Sequence, residues 1–128
     1  MRILVVDDQA DAADTLAELL RMQGHSVDVA YSPGEALQRS LDCAPDVAFL
    51  DLVMPGMDGW ELAQALRARE RRAYLVALTG FGEDDRRARS TEAGMDIHIL
   101  KPIDPARLEL VLARAAQIIA ARNPGAAA

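Results

Sequence analysis

Residues 3–8 read Ile3-Leu4-Val5-Val6-Asp7-Asp8. Four consecutive apolar residues leave no polar face, and four are too few for a helix. A strand buried on both faces has this pattern. The run stops at two acids. Working outward, similar short runs of Val, Ile and Leu occupy residues 47–50, 74–78 and 97–100. Residues 27–31 differ. Val27, Val29 and Tyr31 alternate with Asp28 and Ala30, as an edge strand with one wetter face would.

Helical patterns fill the intervals. Residues 11–23 carry Ala12, Leu16, Leu19 and Leu20 at helical spacing, and Gly24 follows as a stop. Residues 33–43 begin with Pro33 after the candidate cap Ser32. Residues 59–71 place Leu62 and Leu66 four apart behind the candidate cap Asp58. Residues 83–93 form a nearly all-polar helix ended by Gly94, with Ala88 apolar within 83–92. A helix that buries so little is expected to be marginally held. Residues 105–121 follow the candidate cap Asp104 and align Leu108, Val111, Leu112, Ala115 and Ile119 in one stripe.

The order is strand, helix, five times over. It predicts an α/β, doubly wound, five-stranded parallel sheet with helices on both faces, in the flavodoxin-like order 2-1-3-4-5. The 128 residues suit one domain, and the organisation divides as a folded unit over residues 1–121 and a flexible tail over 122–128. Twenty acids against fourteen bases give a formal net charge of -6. That balance argues against binding nucleic acid by phosphate neutralisation, and no second module is visible that could do so. No apolar run approaches a membrane span, and no secretory signal opens the chain. The single cysteine, Cys43, lies among Leu41, Ala44 and Pro45 with no neighbouring histidine. This favours a reducing, cytoplasmic setting and an inert thiol.

Ligands of such sheets bind at the carboxyl ends of the strands, beside the switch in strand order. There the sequence puts Asp7 and Asp8 after the first strand, Asp51 after the third, Thr79 after the fourth and Lys101-Pro102 after the fifth. Three carboxylates in one crevice repel each other and call for a cation. Oxygen ligands without His or Cys favour a hard ion such as Mg2+. Lys101 adds a positive charge suited to a phosphate, and the Thr79 hydroxyl can donate to a phosphoryl oxygen. The set is equipment for forming an aspartyl phosphate.

These residues resemble the receiver domain of two-component response regulators, over about residues 2–121. The motifs are ILVVDD (3–8), DLVMPGMDG (51–59), ALTG (77–80) and LKPID (100–104). The resemblance implies that Asp51 is the phosphoacceptor for a phosphohistidine on a sensor histidine kinase or a histidine phosphotransfer domain. It implies Mg2+ bound by Asp8, Asp51 and the Val53 main-chain carbonyl, with Asp7 acting through water. Lys101 would contact the phosphoryl group and Thr79 would be the switch hydroxyl. Met54, Pro55 and Gly56 would shape the following loop. His98 stands where the family often has Tyr or Phe, as a candidate switch partner. Together with LKPID it is similar to receivers of hybrid histidine kinases. A downstream protein would meet the face of the fourth helix, fifth strand and fifth helix. The domain would be a signalling phosphoacceptor rather than an enzyme, limited to self-phosphorylation and slow loss of the phosphoryl group.

Three other classes compete. A flavin carrier on this fold needs a Ser/Thr/Gly-rich loop after the first strand, where this chain has Asp7-Asp8-Gln9. An aspartyl phosphohydrolase usually carries its nucleophile on the first strand and adds a cap domain. A phosphorylation-independent interaction module leaves the intact acidic site without a purpose.

Overall fold

A computed structural model of the chain describes residues 1–52, 59–69, 73–79, 94–101 and 103–122. Five strands, β1 (Arg2–Val6), β2 (Ser26–Ala30), β3 (Val47–Asp51), β4 (Tyr74–Thr79) and β5 (Ile97–Leu100), form one sheet in the order β2-β1-β3-β4-β5. Every pairing is parallel. The expected architecture and strand order are found.

Alternation along each strand feeds two cores. Leu4, Val6, Leu50, Leu75 and Ala77 pack with Ala36 of α2 (Pro33–Cys43) and Leu62, Ala63 and Leu66 of α3 (Gly59–Arg69). Ile3, Val5, Phe49, Val76, Leu78 and Ile99 pack on the other face. Their partners are Leu16 and Leu20 of α1 (Ala10–Met22) and Leu108, Val111 and Leu112 of the C-terminal helix (Pro105–Arg122). Each fully buried large side chain contributes about 1.5–3 kcal/mol. β3 and β4 are buried along their whole length, which is why their sequences show no polar face.

The helix ends follow their predicted chemistry. Ser32 Oγ accepts the Glu35 N–H at 3.2 Å, and Pro33 opens α2. Asp104 Oδ1 accepts the Ala106 N–H at 3.0 Å. After α1, Gly24 takes φ +93°. Its N–H donates to the Arg21 carbonyl, and the His25 N–H reaches back to Leu20. This is the paired-bond stop that glycine permits.

Some boundaries shift. β2 stops at Ala30, and Tyr31 instead donates its hydroxyl proton to Asp14 on α1. The C-terminal helix includes Arg122, which the sequence assigned to a flexible tail, because Asp96 holds its guanidinium. The predicted helix over 83–93, the cap Asp58, and tail residues 123–128 lie outside the described residues.

Candidate functional site

β1 and β3 are adjacent and parallel, so their carboxyl ends bring Asp7, Asp8 and Asp51 together. Carboxylate oxygens of these three residues all lie within 4.8 Å of one another. Asp7 and Asp51 are buried, at 2% and 8% exposure, while Asp8 is exposed. The sequence-predicted acidic cluster therefore exists, with one carboxylate facing solvent and two recessed beneath it.

Asp7 is the most constrained member. Its Oδ1 accepts the Gln9 N–H at 3.0 Å, a local turn that leads the chain into α1. Its Oδ2 accepts from Lys101 Nζ at 2.8 Å. Both oxygens are thus engaged by protein donors, which suits an outer role around a cation better than direct ligation. Lys101 Nζ also lies 3.5 Å from Asp51 Oδ2. Burial alone would lower the Lys101 pKa, but Asp7 and Asp51 outweigh it and the net shift is upward. The ammonium is therefore locked on.

Lys101 reaches the site because β5 ends beside β4. Its N–H donates to the Thr79 carbonyl at 2.8 Å. Thr79 is buried at the end of β4, one residue beyond Leu78, the registered partner of Asp51. His98 lies further back on β5 opposite Ala77, with its Nε2 buried. It belongs to the strand that delivers Lys101 rather than to the carboxylate cluster. Val53, Met54, Pro55, Gly56 and Pro102 lie outside the described residues.

The sequence reading missed one participant. In the sequence Gly59 closes the 51–59 motif and opens a helix, with no contact at the site assigned to it. Its N–H donates to the Leu52 carbonyl at 3.2 Å, and α3 presses directly on the end of β3. A Cβ on Gly59 would fall 2.3 Å from the Asp51 carbonyl oxygen and 2.7 Å from Leu52 Cα. Glycine is required by this approach, and the Asp51 main chain is fixed from behind. A cavity of about 540 Å3 opens on the opposite side, where Ala12, Leu16, Leu19 and Ile103 meet Asp7 and Lys101.

Three carboxylates against one ammonium leave the cluster short of positive charge. The donor set is all oxygen, with one exposed ligand position, and it fits a hard divalent ion. It fits a flavin phosphate poorly, since two acids face the place such a phosphate would occupy.

A model of the response regulator receiver domain matches residues 3–113. The chain belongs to the response regulator receiver family. Among curated relatives, this receiver is 36% identical over 120 residues to the transcriptional regulatory protein ResD of Bacillus subtilis (strain 168), covering 91% of this chain and 50% of ResD. It is 36% identical over 118 residues to the phosphate regulon transcriptional regulatory protein PhoB of Pseudomonas aeruginosa, covering 88% of this chain and 52% of PhoB. The receiver thus spans about half the length of these relatives. Among solved structures, the chemotaxis protein CheY4 of Vibrio cholerae superposes with a TM-score of 0.86 at 26% identity, covering 89% of this chain and 97% of that one. The receiver domain of NtrX from Brucella abortus gives 0.83 at 32% identity, covering 90% and 98%.

Proposed function

We propose that this receiver is a phosphoacceptor, with Asp51 as the residue modified. The observation that carries the reading is the gathering of the Asp7, Asp8 and Asp51 carboxylates within 4.8 Å, with Lys101 Nζ 3.5 Å from Asp51. An Asp51 oxygen forms a bond to phosphorus as the P–N bond of a donor phosphohistidine breaks, and the imidazole leaves with that electron pair. Lys101 holds a fixed positive charge beside the phosphoryl oxygens as they redistribute charge. Thr79, at the adjacent strand end, supplies a hydroxyl to a phosphoryl oxygen, with His98 following it on β5.

Asp8 and Asp51, with the Val53 carbonyl, would hold Mg2+, and Asp7 would act through water. When bound, the ion neutralises charge on the phosphoryl group and the acids. The role is that of a signalling switch rather than a turnover enzyme. The partners are a sensor histidine kinase or histidine phosphotransfer domain upstream and a protein target downstream, in a cytoplasmic setting. The hybrid-kinase type rests on His98 and the LKPID motif alone.

The expectation of no nucleic-acid partner is not supported by the relatives, since ResD and PhoB are both named as transcriptional regulatory proteins. The argument from net charge applies to these 128 residues and not to a longer protein. For membranes, no helix among the described residues is long and apolar enough to cross one.

Incubation with a small acyl phosphate donor and Mg2+ tests the reading. Wild type should acquire an acid-stable, hydroxylamine-labile phosphoryl group, and Asp51→Asn should not. Equal labelling of the two proteins, or no labelling of either, would sink it.

A further inference from the structure

The end of the sheet opposite the carboxylates carries a second charged network. Arg67, on the last turns of α3, donates from Nη1 to the Ala73 carbonyl at 2.7 Å and from Nη2 to the Gly94 carbonyl at 2.7 Å. The same Nη2 lies 2.9 Å from Asp96 Oδ2. Arg122, the last residue of the C-terminal helix, pairs with Asp96 Oδ1 and donates to the Ala73 carbonyl at 3.0 Å. Asp96 Oδ2 also accepts the Leu75 N–H at 2.8 Å, so the acid is tied to β4. Gly94 makes room for the Arg67 stem: a Cβ there would meet Arg67 Nε at 3.2 Å and Cγ at 3.3 Å. Two helices on opposite faces of the sheet therefore close on the same aspartate and the same carbonyl.

α3 belongs to both ends. At its first residue, Gly59 sits against the Asp51 main chain with no slack. At Arg67, roughly 12 Å further along the axis, it grips Asp96 and Ala73. Leu62, Ala63 and Leu66 between them are buried, so α3 is seated on close-packed core along the stretch that joins the two contacts.

We propose that α3 is a lever that reports the state of Asp51 to the last turn of the C-terminal helix, through Arg67, Asp96 and Arg122. The proposal rests on the phosphoacceptor reading of Asp51. A phosphoryl group there draws the end of β3 toward Lys101, whose Nζ lies 3.5 Å from Asp51 Oδ2. Gly59 follows because it touches the Asp51 carbonyl, and α3 slides along its core face. Its far end carries the guanidinium that positions Asp96, and Asp96 positions Arg122. Small shifts of packed helices are a known mode of transmission, and coupling must be shown by severing the link. This route leaves the site through the back of β3, without using the Thr79 hydroxyl or His98.

Amide NMR of the full chain with Mg2+ and beryllofluoride, a phosphoryl analogue, tests it. In wild type, amides of Asp51, Thr79 and Lys101 should shift, and so should those of Ala120, Ala121 and Arg122. In Arg67→Met, which keeps the stem beneath Gly94, the site amides should still shift while the last-turn response falls below half. In Arg122→Met, a milder change, Leu66 and Arg67 should respond and the last turn should not. A last-turn response of wild-type size in either variant would overturn the lever. So would a wild-type last turn that stays silent while the site amides move. Silent site amides would remove the phosphoacceptor reading, and the lever with it.

Discussion

Gly59→Ala sets two effects against each other at the back of the site. In a helix interior Gly→Ala stabilises by about 0.5–1 kcal/mol, because alanine loses less backbone entropy, and at the first residue of α3 the gain is at most that. Here the new Cβ would lie 2.3 Å from the Asp51 carbonyl oxygen, a contact that side chains do not adopt below 3.0 Å, so at least 0.7 Å of displacement is needed (3.0 minus 2.3). Leu52 Cα at 2.7 Å blocks a second direction. Both obstacles are backbone, and neither can rotate away. Overpacking of this kind costs about 1–3 kcal/mol, so the clash wins by roughly 1–2 kcal/mol. With a urea slope of about 1–3 kcal/mol/M, the unfolding midpoint should fall by about 1 M. Mg2+ affinity should weaken as well, because the displaced carbonyl belongs to Asp51. Urea titrations followed by circular dichroism read the first effect, and calorimetric Mg2+ titrations the second. A midpoint raised by the alanine, with unchanged Mg2+ affinity, would refute the close-contact argument.

Further outcomes follow from single residues. The folded-state pKa of Lys101 is raised above 10.5, so its contribution to stability is fully present below that value and is lost as pH rises through the folded pKa. Urea midpoints should therefore drop more steeply between pH 9 and 12 for wild type than for Lys101→Met; Tyr74, also shifted upward by burial, titrates in both proteins. Identical slopes would contradict the Lys101–Asp7 linkage. Burial and then Asp28 push the Cys43 thiol up to about 11, so at pH 8 it should react with a disulfide reagent on the order of 100-fold more slowly than in the unfolded chain. Reaction at the free-cysteine rate would show the thiol to be ionised or open. Ser32→Ala removes the cap on α2 and should cost about 1 kcal/mol by urea unfolding, with the acidic site unaffected.

The sheet was legible because its signals are local. Val47–Asp51 is buried along its whole length and reads as unbroken apolar residues ended by an acid. The strand order then brought Asp7, Asp8, Asp51 and Lys101 to one end without any knowledge of distances. What escaped notice depends on contacts between remote positions. Arg67, Asp96 and Arg122 each look like an ordinary solvated charge in the sequence. Their meeting requires α3 and the C-terminal helix to run antiparallel to the strands and finish at the same end. Arg122 was placed in the tail because nothing adjacent to it signals an anchor 26 residues away. Gly94 takes φ +95°, while the helix it is expected to end lies outside the described residues. Its second task, clearing space for the Arg67 stem, has no mark in the chain. Gly59 likewise reads as no more than the first residue of a helix, since proximity to Asp51 is invisible until β3 and α3 are packed.

The two outer strands have a consequence for life before the fold is complete. A parallel sheet this apolar would be a template for strand addition by neighbouring copies wherever an edge is long and uncharged. β2 places Asp28 at the centre of one edge, where an added strand would have to bury a carboxylate. β5 is only four residues long, too short to offer a second chain a persuasive ladder. Asp28→Val would join Val27 to Val29 in one unbroken valine run along that edge. Among the described residues, the guard against strand addition at the two edges is thus one carboxylate and one short strand.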